Sequence, residues 1–102
     1  MTTPAKRRPL ERDAIEAALR ELPGWRYEAG ALGKSFVFGS FKEAMSFLVR
    51  LGFHAEELNH HPEIRNVYNR VDLALTTHDA GGEVTEKDLE LARAIQGFSW
   101  VG

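Results

Sequence analysis

Glu56-Glu57-Leu58-Asn59-His60-His61-Pro62, with the run Val71-Asp72-Leu73-Ala74-Leu75-Thr76-Thr77-His78 that follows it, is the stretch from which the rest of the chain can be read. Ahead of it, Ala44, Phe47, Leu48, Leu51, Ala55 and Leu58 recur at three- and four-residue intervals, the apolar stripe of an amphipathic helix. Ser40 followed by Glu43 is a capping-box start, so this helix, the longest element, is expected over Phe41 to Asn59. Pro62 blocks helical continuation and leaves His60 and His61 where helix gives way to extended chain. Beyond it the pattern alternates: Val71, Leu73 and Leu75 take one face of a strand, and Asp72, Thr76 and His78 the other. Ile64, Val67 and Tyr68 belong to a preceding strand, and a two-residue turn at Asn69-Arg70 sets His78 opposite His61.

Working outward, Leu10 to Leu22 carries Leu10, Ala14, Ile15, Ala18, Leu19 and Leu22 at helical spacing, ended by Pro23-Gly24. Trp25 to Glu28 and Lys34 to Phe38 read as a hairpin whose loop is Ala29-Gly30-Ala31-Leu32-Gly33. After His78, Asp79-Ala80-Gly81-Gly82 is a turn, and Thr85 with Asp88 caps a last helix that buries Leu89, Ala92, Ile95 and Phe98, with Trp100 as an anchor behind it. Phe36, Phe38, Phe41, Phe47 and Phe53 are expected in the core and His54 on the surface, while Trp25 either packs or lines a pocket. The order α-β-β-α-β-β-α predicts an α+β fold, a four-stranded antiparallel sheet with three helices packed on one face.

A chain of 102 residues can close one core but not two, so 1–102 is expected to be one domain, with 1–9 a flexible arm carrying Lys6-Arg7-Arg8. With 13 basic against 15 acidic residues the net charge is -2, which gives no overall positive field to draw nucleic acid or anionic lipid. The absence of cysteine excludes disulfides, thiolate catalysis and zinc-thiolate sites. No apolar run suits a signal peptide or a membrane span, so a cytoplasmic location is expected.

The chain has four histidines, and His60, His61 and His78 fall at the corner described above. An imidazole titrates at about 6.5, so neutral and protonated rings side by side can exchange protons near neutrality, and closely spaced rings titrate as a unit. Glu56 and Glu57 precede the paired histidines by one helical turn, within reach to set an imidazole tautomer. There is no nucleophile elbow and no phosphate-binding glycine loop, which leaves acid-base chemistry on a small bound molecule. Glu57-x-x-His60 is also the spacing of a carboxylate di-iron site, and three histidines could hold zinc; the di-iron version needs a second copy and further inward glutamates that the chain lacks.

Glu56-x-x-x-His60-His61-Pro62, Asn66-Val67-Tyr68-Asn69-Arg70-Val71, Thr76-Thr77-His78, Gly82 and Thr85-Glu86-Lys87-Asp88 with Leu91-Ala92 together resemble the pterin-4a-carbinolamine dehydratases. Leu22-Pro23-Gly24-Trp25 and the Phe41-to-Phe53 helix are similar to the family too, so the resemblance covers nearly the whole chain. It implies dehydration of 4a-hydroxytetrahydrobiopterin, or a related carbinolamine, to quinonoid dihydropterin, in the recycling of the pterin used by aromatic amino acid hydroxylases. By the same resemblance His60 and His78 form the acid-base pair, His61 orients substrate, and Glu56 sets a histidine's state, while Pro62, Thr76, Thr77 and Asp88 shape or contact the pocket. It implies neither metal nor cofactor, and a homodimer or homotetramer. Some relatives are dimerisation partners of a homeodomain transcription factor, and an enzyme on another pterin, such as a molybdopterin-related substrate, is a neighbouring alternative. The chain departs from the family pattern at Asn59, at Ile64 and in a loop, Gly81-Gly82-Glu83-Val84, one residue longer than usual.

Overall fold

The computed structural model describes residues 8–101, so most of the expected N-terminal arm lies outside the described residues. In chain order the elements are α1 (Arg12–Leu19), β1 (Arg26–Glu28), β2 (Ala31–Val37), α2 (Phe41–Glu57), β3 (Glu63–Val67), β4 (Arg70–Leu75), a 3-10 turn over His78–Ala80, and α3 (Glu86–Phe98). The sheet is antiparallel throughout, in the order β1-β2-β4-β3. Period-two burial explains its two faces. Leu32, Lys34 and Phe36 of β2 and Val71, Leu73 and Leu75 of β4 are buried under the helices, while the alternate residues face outward. This is the α+β arrangement that the periodicity predicts.

The core is filled by α2 and α3 lying on that inner face. Ala44, Phe47 and Leu51 of α2 meet Leu89, Leu91, Ala92 and Ile95 of α3 together with Phe36 and Phe38. Phe47 is the hub, with ring centroids 4.8 Å from Phe36, 5.0 Å from Phe38 and 5.4 Å from Phe98. Trp100 closes over Phe38 at 5.2 Å and donates its indole N–H to Glu43. Trp25 packs edge-on against Phe36 at 6.3 Å, which settles its role as a core residue. Phe41 and Phe53 are not in the core, being 46% and 73% exposed. Phe53 follows Leu51 by two residues, about 200° around the helix, so it points away from the sheet. His54 is half-buried, stacked on Phe98 with centroids 4.6 Å apart, rather than a free surface residue.

Three chain reversals differ from the sequence expectation. Helix α1 is shorter than Leu10–Leu22, because i→i−3 bonds from Arg20, Glu21 and Leu22 tighten its end into a turn that still delivers Leu22 to the core. The first hairpin turns on Ala29-Gly30 alone. Both residues have positive φ, 51° and 78°, the geometry whose twist matches the flanking strands, so Ala31, Leu32 and Gly33 belong to β2. The second hairpin turns on Tyr68-Asn69 and not Asn69-Arg70, with Val67 paired to Arg70. Asn69 is tied to the residue just past β2, its side chain donating to the Phe38 carbonyl and its own carbonyl accepting from Phe38 N–H, while Tyr68 takes the left-handed conformation. The register therefore shifts by two residues, and its continuation sets Thr76, not His78, across from His61.

Candidate active site

The site begins at the end of α2. His60 N–H bonds to the Ala55 carbonyl at 2.9 Å and Asn59 N–H to the Glu56 carbonyl at 3.1 Å, the paired bonds of a Schellman ending. That ending needs a left-handed residue just past the cap, and Asn59 supplies it at φ 50°. The helix thus stops at Leu58 by its own C-terminal motif, three residues before Pro62 could act. Asn59 thereby acquires a backbone role that its side-chain chemistry did not announce.

The opposite wall comes from β4. Burial alternates through Thr77, and there the chain leaves the sheet. Thr77 N–H bonds to the Glu83 carbonyl, Ala80 and Gly82 N–H return to the Thr77 carbonyl, and Gly81 and Gly82 adopt φ of 72° and 78°. His78 opens the resulting 3-10 turn, so it does not occupy a ladder position. It still reaches the corner: His60, His61 and His78 line one cavity of about 300 Å³ together with Thr76 and Thr77. Asn59 and Asp79 complete the wall. In sequence Asn59 stands out only as a departure from the family pattern and Asp79 only as a turn residue; each is placed by a reversal of the backbone beside a histidine.

Two of the imidazoles are braced by carboxylates. Asp88 is fully buried, and its Oδ1 is 2.5 Å from His60 Nε2. Its Oδ2 accepts from the Thr77 hydroxyl at 2.9 Å and from Thr85 N–H at 2.8 Å, completing the capping box of α3. The Thr77 and Thr85 hydroxyls are 2.6 Å apart, and Thr85 Oγ1 accepts from Lys87 N–H. Since Thr77 donates to Asp88, Thr85 must donate to Thr77, so every proton in the chain points toward the carboxylate. With Asp88 as a carboxylate, which can only accept, His60 Nε2–H donates the hydrogen bond and Nδ1 is the ring's other nitrogen. His61 Nε2 lies 2.9 Å from Glu56 Oε1 in an exposed pair, the contact expected one helical turn before the histidines. Glu56, Pro62 and Asp88 are not on the cavity wall; Glu56 and Asp88 reach it through a histidine. Glu57 makes no side-chain contact of this kind, and among the described residues no three His, Asp or Glu side chains are grouped to hold a metal ion.

The family model described as Pterin 4 alpha carbinolamine dehydratase matches residues 8–98. A protein of Opitutus terrae, named for that family, is 61% identical over 88 residues, covering 86% of this chain and 91% of its own. One of Thermomicrobium roseum, also named for it, is 49% identical over 86 residues, covering 84% and 91%. Among solved structures, a transcriptional coactivator/pterin dehydratase from Brucella melitensis superposes with a TM-score of 0.82 at 40% identity, covering 87% of this chain and 96% of that one. A pterin dehydratase-like protein identified as a RuBisCO assembly factor in the alpha-carboxysome has a TM-score of 0.64 at 26% identity, covering 78% and 93%. A family match running from the first described residue into the end of α3, joined to this fold and this histidine corner, leads to one conclusion: the chain belongs to the pterin-4-alpha-carbinolamine dehydratase family.

Proposed function

We propose that the protein dehydrates pterin-4a-carbinolamine, as 4a-hydroxytetrahydrobiopterin or a close relative, to quinonoid dihydropterin by histidine acid-base catalysis. The observation that carries this reading is the convergence of His60, His61 and His78 on one cavity, two of them braced by carboxylates. In the reaction the N5 lone pair forms the C4a–N5 double bond as the C4a–O bond breaks. The departing oxygen takes a proton and leaves as water, and the N5 proton passes to a base. Acid and base balance over one turnover, and the task suits imidazoles in both protonation states.

In this reading His60 and His78 are the acid-base pair and His61 orients the substrate. Asp88 holds the His60 proton on Nε2, so Nδ1 exchanges protons with the pterin. Glu56 holds His61, Thr76 offers its hydroxyl to the bound ring, and Thr77 shapes the pocket while its own hydroxyl is committed to Asp88. Pro62 stiffens the chain behind the histidines. The place of such an enzyme is the recycling of tetrahydropterin after an aromatic amino acid hydroxylase, in the cytoplasm; among the described residues no helix is long and apolar enough to cross a membrane. Stopped-flow decay of chemically generated carbinolamine tests the reading, and no acceleration over buffer at neutral pH would sink it.

A second reading, a binding or assembly module, is favoured by the outer face of α2, where Val49 and Phe53 are 62% and 73% exposed. Covering that face requires a partner or a second copy, as in a homodimer or homotetramer. Light scattering on the native chain and on Phe53→Glu measures assembly, and partners retained after alanine replacement of His60, His61 and His78 would favour this reading over catalysis. Activity on a molybdopterin-related substrate instead of the biopterin carbinolamine would narrow the first reading without displacing its chemistry.

A further inference from the structure

The Schellman ending of α2 closes two carbonyls of its last turn and leaves that of Leu58 outside the helix's own ladder. Lys87 takes it. Its Nζ donates to Leu58 O at 2.8 Å from a side chain only 15% exposed, and a looser neighbour is Glu90, 3.9 Å away. A cation at a helix C-terminus is also favoured by the helix dipole. Lys87 starts from a defined place, because its N–H is held by Thr85 Oγ1 in the cap of α3. The next residue, Asp88, holds the His60 ring. Consecutive residues of α3 thus grip the same corner twice, once by backbone at Leu58 and once by side chain at His60.

A hydrogen bond to the Leu58 carbonyl fixes the peptide plane between Leu58 and Asn59. Asn59 follows in the narrow left-handed well at φ 50°, so its backbone cannot absorb a rotation of that plane without leaving the well. Any such rotation is passed to His60. We infer that Lys87, which is not on the cavity wall, is a positioning residue that fixes where Asn59 and His60 enter the site. The catalytic consequence rests on the proposed dehydration, whereas the geometric one concerns the unliganded chain.

The test compares Lys87→Met, which keeps the apolar stem and removes the donor, with Lys87→Arg, which keeps a cation. Lys87→Gln, a shorter neutral donor, replaces the methionine variant if that one does not fold. Three quantities are read on the full chain: solvent exchange of the His60 Nε2 proton in histidine-ring NMR spectra, kcat/KM on the carbinolamine, and the melting temperature. Lys87→Met should speed exchange of the His60 proton and lower kcat/KM by between about ten- and a hundredfold, the range a small misplacement of a reacting group costs, with the protein still folded at assay temperature. Lys87→Arg should restore both. A native-like His60 signal in Lys87→Met overturns the inference, whether activity is unchanged or falls only with the folded fraction. A native chain without dehydratase activity, in which the His60 proton still responds to Lys87→Met, would refute the proposed function and leave the positioning role intact.

Discussion

Replacing Asp88 by asparagine probes the site at its most buried point. Asp88 accepts from three donors, with Thr77 Oγ1 and Thr85 N converging on Oδ2 and His60 Nε2 on Oδ1. Asparagine has one acceptor oxygen, and two of the three donors share a side, so the amide carbonyl turns toward Thr77 and Thr85. Its NH2 then faces His60 Nε2. Two donors cannot share a hydrogen bond, so the imidazole proton must move to Nδ1, the opposite tautomer from the native one. Exchanging charge-assisted bonds for neutral ones costs about 1–2 kcal/mol, or roughly 5–15 °C in Tm for a chain of this size. The kinetic effect is larger, because the nitrogen that should exchange a proton with substrate now carries one permanently in the neutral ring; a wrong tautomer costs about 10²–10⁴ in rate. Stopped-flow carbinolamine decay, histidine 15N shifts and a thermal melt measure the three effects. If Asp88→Asn shows the swapped tautomer yet keeps kcat/KM within about threefold of native, the assignment of His60 as a proton carrier is refuted.

The remaining predictions concern groups around that point. Glu56→Gln weakens a hydrogen-bonded pair whose members are 60% and 80% exposed, so stability should change by less than about 0.5 kcal/mol and kcat/KM by less than with Asp88→Asn; a loss as large as that of Asp88→Asn contradicts the ranking. Asn59→Gly should be neutral or stabilising in urea unfolding, and Asn59→Ala should cost about 1 kcal/mol, because alanine resists the left-handed backbone at φ 50°. Lys34 is buried on the inner face of β2, donating to the Pro23 carbonyl at 2.8 Å and to Gln96 at 3.1 Å, and burial lowers its pKa. The unfolded chain then binds the proton more tightly, so native stability rises with pH between the lowered value and the ordinary lysine value. Lys34→Met should remove that slope in urea unfolding at stepped alkaline pH, and an unchanged slope would assign the pH dependence elsewhere.

The elements whose periodicity is long and whose caps are explicit are legible in the chain. Ser40 does accept from Glu43 N–H, Thr85 and Asp88 do form a capping box, and the stripes of α2 and α3 are the buried ones. The turns were not. Ala29-Gly30 closes its hairpin by taking positive φ at both residues inside a longer loop-like stretch, whereas Asn69 is selected by Phe38, which lies 31 positions away in sequence. Phe41 and Phe53 fall outside the core because they lie off the Ala44, Phe47, Leu51 and Ala55 stripe that faces the sheet.

For the site, the chain by itself determined which side chains could do the chemistry and that they share a corner. His60 and His61 must follow a helix that ends near them, and the alternation that buries Val71, Leu73 and Leu75 carries the strand back toward them. Tertiary structure decided how those side chains are held. The register moved by two residues, and His78 reaches the cavity from a 3-10 turn instead of a strand position. His60 takes its orientation from Asp88, a residue 28 positions away whose own sequence pattern is that of a helix cap and which only the family resemblance set at the pocket. The physical reason is that capping consumes only one side of a carboxylate: Oδ2 satisfies the start of α3, and packing of α3 against α2 turns Oδ1 onto the imidazole.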